Sequence, residues 1–356
     1  VGDDDSYGVD FFRVKGGNSH LFSFHAQSEK ANAAEGLNLV PQTDSSGNYV
    51  GTYAGADTTF GKDPNSPAEW FYDTVYPRGY TWLKNVRRDN SPQDKFAVDF
   101  EITDYRNAVK DNKNIRLRMT MLNDFKMSSV ALAGGYVPVK STNRMMPETF
   151  EYVLAKREGK NLDSLFTTVY EPYKGERYIE NMESVSAVLT AGSAGADDAV
   201  KAVRVTRTDG RVDYIVYATN NKATYRIDGE FNFRGFIGVY SKNASGNVVY
   251  RYVNDGDIIG EDTEKTGSYT GTVFGFEREL KFSNYIDIDS NNTDASDLAG
   301  RCVYISNDGK QNAVYPINSA KRLENGKIRL DIGTVSLIRG YRDSNDFDSG
   351  YTYNIR

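Results

Sequence analysis

The chain predicts an all-β fold, a large antiparallel β-sandwich followed by a small C-terminal β domain. Three observations carry this expectation. Aromatics make up 13% of 356 residues, with 25 Tyr and 18 Phe against 2 Trp. Tyr and Phe, like Thr and Val, suit a pleated, half-buried surface better than a helix. Apolar residues alternate at period two, the strand period, over many short runs. Turn pairs rich in Gly, Asn and Asp separate those runs at hairpin spacing. About twenty short strands result, at the spacing of a sandwich or barrel. No segment carries the apolar spacing of a long amphipathic helix, so a parallel α/β fold is poorly supported.

Taken in order, Val9–Val14 already reads as a strand near the start. Phe96, Val98, Phe100 and Ile102 form one apolar face of the next clear run. Tyr178–Leu189, Val200–Val205, Tyr214–Ala218, Phe231–Tyr240, Val248–Val253, Ser283–Ile288 and Lys327–Ile332 follow as strands. Between them Asp209-Gly210, Asp228-Gly229, Ser245-Gly246-Asn247, Asp308-Gly309 and Asn325-Gly326 mark turns, because these residues accept positive φ cheaply. The polar stretch Ala191–Asp198 reads as a flexible loop. Asp287–Ala299 is acidic, Asn-rich and bare of large apolar residues. The division therefore falls near residue 290, giving a sandwich over 1–290 and the small domain over 291–356. Both ends read as strand, as expected of a piece cut from a longer protein, and Val1 opens no signal-peptide pattern. There is no convincing internal repeat.

Charge and composition exclude several function classes. Lys and Arg number 43 against 49 Asp and Glu, a formal net of −6, which leaves no general basic footprint for nucleic acid. The mean hydropathy is −0.59, and no stretch approaches the roughly 18 apolar residues of a membrane helix. The single Cys302 rules out an internal disulfide and any multi-cysteine zinc site. It reads as a small buried apolar residue. With two histidines, His20 and His25, a multi-histidine metal centre is unlikely to be encoded, and no metal or cofactor is expected.

Local motifs have plain structural readings. Asp287–Asp294 superficially resembles a calcium loop, but Asn292 and Leu298 stand where an EF-hand wants Gly and Glu, so a solvated linker is expected. Asp3-Asp4-Asp5 reads as a charged surface turn. Gly16-Gly17 and Gly134-Gly135 lack phosphate-loop spacing and are expected at bends or tight turns. His20 and His25 are five apart, so on a regular strand they face opposite sides. His20 then shares the core side with Phe22 and Phe24 and must be hydrogen-bonded there. His25, beside Leu21 and Ser23, also reads as structural. A bulge between the two would undo this pairing.

The segment from Trp70 to Trp82 holds both tryptophans and is followed by Lys84, Arg87 and Arg88. Two readings stand. The aromatics fill the sandwich core and the cations are merely exposed, or Arg78, Tyr80, Trp82 and Arg88 contact an acidic saccharide. The second follows from rings with apolar faces and a polar edge beside guanidinium forks that match carboxylates and sulfates.

Several segments resemble a known family. Asp10–Gly17 with His20–His25, and above all Asp163–Gly175, are similar to the heparinase II/III-like polysaccharide lyases, as are Gly79–Val86 and Phe231–Gly256. Ile328–Gly333 with Leu337–Tyr341 resembles the small C-terminal β domain of that family. The resemblance implies a β-sandwich plus a β domain and β-elimination on uronate-containing glycans. It also implies an N-terminal α/α-toroid with a catalytic Tyr, a His-x-His element, and a periplasmic or secreted location. Neither the toroid nor His-x-His occurs here, so no catalytic residue carries over. The expectation is a non-catalytic β portion of a lyase. Its partners would be an acidic polysaccharide and the missing toroid, and by itself it would not cleave. A stand-alone carbohydrate-binding or structural β module is the alternative.

Overall fold

The structure is a computed structural model that describes residues 5–62, 79–136, 147–261, 269–279, 281–289, 294–306, 312–335 and 352–355. Its elements are 26 strands and two short 3-10 turns, with no α-helix among the described residues. Every pair of neighbouring strands is antiparallel. The all-β expectation holds.

Four sheets stack face to face. The first orders β2 (Ser19–His25), β9 (Thr149–Glu158), β8 (Ser129–Tyr136), β5 (Leu83–Asp89) and β4 (Val40–Pro41). The second orders β1 (Gly8–Lys15), β10 (Asp163–Lys174), β7 (Ile115–Leu122), β6 (Lys95–Glu101) and β3 (Ala31–Glu35). In the third lie β11 (Ile179–Val185), β13 (Val200–Arg207), β14 (Val212–Ala218), β17 (Ile237–Lys242) and β18 (Val248–Asn254). The fourth holds β12 (Ala187–Ala191), β15 (Thr224–Ile227), β16 (Phe231–Arg234) and β19 (Ile258–Gly260).

Alternation along the strands explains the stacking. In β10, Phe166 points to the first sheet, where it meets Phe22, and Val169 points to the third, joining Val203 and Ile215. Phe96, Val98, Phe100, Met119 and Met121 fill the space between the first two sheets and are fully buried. Each such side chain contributes about 1.5–3 kcal/mol relative to exposure. Tyr214, Val216, Phe231 and Phe233 build the core between the third and fourth sheets. The second sheet is thus covered on both faces, and residues 1–290 contain two stacked sandwiches rather than the one expected.

A separate seven-stranded sheet closes the chain. Its order is β23 (Asn312–Pro316), β22 (Cys302–Ser306), β26 (Thr352–Ile355), β20 (Tyr269–Phe276), β21 (Asn284–Ile288), β25 (Ile328–Gly333) and β24 (Ser319–Arg322). Ile286, Ile288, Leu298, Val303, Ile305 and Leu330 form its core. The sheet straddles residue 290: β20 and β21, before that position, pair with β26 and β25, after it. Composition points to a solvated linker at Asp287, yet Asp287 is buried and holds Arg329 through two 2.7 Å hydrogen bonds across the strands. An acidic residue in a strand is readable as linker only while its cationic partner is unseen.

Smaller expectations divide. Gly16 and Gly17 take positive φ in the turn between β1 and β2. Gly134 and Gly135 instead lie within β8, where a Cβ at 135 would sit 2.6 Å from the Tyr152 ring and 2.9 Å from Leu83. Phe231–Tyr240 is broken into β16 and β17, and Cys302 is only partly buried. The turns at Gly210, Gly229, Gly246 and Gly326 all show positive φ, as their residue pairs predict. Asp3, Asp4 and Asp308-Gly309 lie outside the described residues.

Candidate functional site

The two histidines take the opposite sides of β2 that regular alternation predicts. His20 is buried; its Nε2–H donates to the Gly16 carbonyl at 2.5 Å and its Nδ1 accepts from the Ser164 hydroxyl at 2.9 Å. Ser164 Oγ in turn accepts from Arg157. Both ring nitrogens are therefore used in holding β2 against its neighbours. His25 is exposed and stacks on Phe150 and Tyr152 of β9, with ring centroids 5.4 and 4.6 Å away.

On the outer face of the first sheet, the segment before β5 builds an aromatic patch. Residues 42–61 lie along the edge of β5: Gln42 N–H donates to Val86 O, Tyr53 N–H to Leu83 O, and Gly61 N–H to Thr81 O. Gly79–Trp82 forms a 3-10 turn that leaves Tyr80 and Trp82 exposed, at 44% and 36%. Trp82 rests against Gly61, whose Cβ position would lie 3.1 Å from the indole, and meets Phe60 edge-on at 5.4 Å. Gly61 has φ +71°, so a side chain there would be both crowded and strained. Tyr80 packs edge-on to Tyr53 at 5.5 Å, and Tyr136 lies 5.5 Å from Phe60.

Two cations join these rings. The Lys84 ammonium sits 4.9 Å from the Tyr136 ring and 5.7 Å from Phe60. The Arg88 guanidinium lies 4.8 Å from the Tyr53 ring and donates to the Tyr53 carbonyl at 3.2 Å. Its Nε is buried without a hydrogen-bond partner among the described residues. The pairing of β5 with β8 shifts register between Lys84 and Arg87, with Asn85 at φ 55°. A bulge of this kind re-aims the side chains beside it. Neither Lys84 nor Arg88 pairs with a carboxylate among the described residues. Arg87, the third nearby cation, is held by Glu151 at 2.6 Å. Burial pushes the Glu151 carboxyl up, with Arg87 pulling it the other way.

The structure brings three of the four expected contact residues together: Tyr80, Trp82 and Arg88. Arg78 and Trp70 lie outside the described residues. For Tyr80 and Trp82 the core-filling reading fails, since both reach solvent. Sequence reasoning missed Tyr53, Phe60 and Tyr136, which come from other segments and reach the patch only through folding. Gly61, next to Phe60, was the one local sign of a close approach.

Other polar clusters are saturated. Between the second and third sheets a cleft of about 40 Å³ is lined by Glu35, Lys95, Arg118, Thr120 and Arg177. Arg118 pairs with Asp99 and Glu35, Lys95 with Glu35, and Arg177 with the fully buried Glu171. Lys201, desolvated so that its pKa falls, is held by Asp124 and Ser184. Among the described residues no three His, Cys, Asp or Glu side chains converge as a metal site. No helix among them is long and apolar enough to cross a membrane. No family model, curated protein or solved structure matches the chain.

Proposed function

We propose that this chain binds an acidic, uronate-containing polysaccharide on the outer face of its first sheet. In this reading it is the non-catalytic β portion of a polysaccharide lyase acting by β-elimination outside the cytoplasm. It walls the substrate cleft and supports an α/α-toroid that carries the reactive groups. One observation bears most of the weight: exposed Tyr80 and Trp82 stand beside Lys84 and Arg88, which no carboxylate neutralises among the described residues. Sugar rings present C–H faces that pack on aromatic planes, and guanidinium and ammonium groups complement the uronate charge.

Elimination needs charge stabilised on the carboxylate, a base for the C5 proton, and an acid for the leaving oxygen. His20 is tied up at both nitrogens, so it serves the fold. The reading supports binding and positioning by these residues, with the proton transfers assigned to the toroid.

Calorimetric titration of the purified chain with chondroitin-, heparin- and alginate-derived oligosaccharides tests it. At least one acidic series is expected to bind while a neutral glucan series does not. Incubation with the polymers should produce no ultraviolet absorbance from unsaturated uronate. Equal binding of neutral and acidic series, or none at all, would remove the reading. The same patch suits a stand-alone carbohydrate-binding module, and a toroid with Tyr and His-x-His encoded upstream in frame decides for the lyase.

A further inference from the structure

The aromatic surface of the first sheet does not stop at Trp82. Leu83, the next residue, pairs in register with Gly135 of β8. The missing side chain at 135 is filled from two directions: its Cβ position lies 2.9 Å from Leu83 Cδ2 and 2.6 Å from Tyr152 Cε2. The glycine therefore lets the Tyr152 ring lie down against Leu83, with no Cβ between them. Tyr152 faces His25 across the next strand pair, in direct register and with ring centroids 4.6 Å apart. Leu21, Tyr53, Leu83, Leu154 and Tyr152 belong to one apolar cluster on this face. The row runs from β5 over β8 and β9 to β2, three strand steps of about 4.8 Å, or roughly 14 Å. That is several monosaccharides long. Its cations, Lys84 and Arg88, stand at one end, and exposed His25 at the other.

Resting on the acidic-saccharide reading, we infer that the site is an extended one. It takes an internal stretch of a linear uronate chain laid across the strands, with Trp82, Lys84 and Arg88 at the proximal end and Tyr152 and His25 forming a distal subsite. The occupant follows from charge complementarity at the proximal end and from the unbroken side-chain surface leading away from it. His25, braced by Phe150 and Tyr152 at a fixed tilt, offers a ring nitrogen to the hydroxyls or carboxylate of the distal sugar. A chain end alone would leave this half of the row uncovered.

A length series of one bound uronate oligosaccharide, from disaccharide upward, tests the inference by calorimetry. Affinity should rise with length and then level off. His25→Ala and Tyr152→Ala should each weaken the longest oligosaccharide about two- to tenfold, and the disaccharide by clearly less. Trp82→Ala should weaken every length. If His25→Ala weakens all lengths equally or none, the distal subsite is wrong while the binding reading stands. If no length binds the unaltered chain, the underlying reading fails and the inference with it. Imidazole proton signals of the unaltered chain give a second readout that needs no variant. His25 should shift with a long oligosaccharide and not with a disaccharide, while His20, sealed in the fold, stays still. An unmoved His25 with the long ligand overturns the subsite.

Discussion

The two outermost faces of the four-sheet stack are built from the same strand geometry and finished in opposite ways. On the fourth sheet the exposed apolar side chains Val188 and Leu189 are aliphatic, and the outward arginines are neutralised: Arg226 by Glu261 at 2.7 Å and Arg234 by Asp257 at 2.6 Å. On the first sheet the exposed side chains are rings, and Lys84 and Arg88 lie over rings with no carboxylate partner among the described residues. A cation paired at a surface adds little to stability, so pairing alone does not explain the contrast. What differs is the charge left over. The first sheet keeps positive charge on an aromatic surface for something outside the chain, and the fourth sheet spends its own internally.

The sharpest way to break the contrast is Trp82→Ala. Loss of the exposed indole should lower uronate-oligosaccharide affinity about tenfold, the ~1.4 kcal/mol of a decade, with near-ultraviolet dichroism confirming the fold. Unchanged affinity would make the two faces equivalent. Lys84→Gln and Arg88→Gln should each cost about threefold to tenfold. Both should also flatten the dependence of affinity on salt, since exposed charges are screened. Arg226→Gln on the opposite face should leave affinity within about twofold and stability within about 1 kcal/mol in denaturant titrations. A large loss of affinity there would put the binding face on the wrong side.

The smallest effect concerns pH. The Arg234 guanidinium holds the Asp257 carboxyl below the usual carboxylate range. A carboxyl whose folded pKa is depressed contributes stability above its unfolded value, and that contribution is lost as pH falls through the folded one. Arg234→Gln should therefore destabilise slightly at neutral pH, by under about 1 kcal/mol for so exposed a pair. The difference from the unaltered chain should shrink on acidification. A gap in denaturant midpoint that widens in acid would contradict the assignment.

Much of the fold was legible because alternation is local. Phe96, Val98 and Phe100 share a core exactly as period two requires, and the Asp-Gly and Asn-Gly pairs sit in their hairpins. The number of sandwiches was not legible. In β10, Phe166 and Val169 are both buried, on opposite faces, and a sequence with apolar residues on both sides does not say which second sheet will cover which. The edge of the last sheet was missed for a similar reason, since Asp287 looks solvated until Arg329 is placed beside it. At the site, Tyr80, Trp82 and Arg88 stood out by clustering along the chain. Tyr53, Phe60 and Tyr136 did not, because only the wrap of residues 42–61 around β5 brings them in.

The second sheet, sheltered on both faces, couples the fates of its neighbours. Phe166 and Met121 wall one core and Val169 and Leu122 the next, from the same two strands. Melting either sandwich would strip a wall from the other, so residues 5–261 should lose structure in one cooperative step. The backbone amides of β7 and β10 should be the last to exchange with deuterated solvent, since opening them requires both cores to come apart.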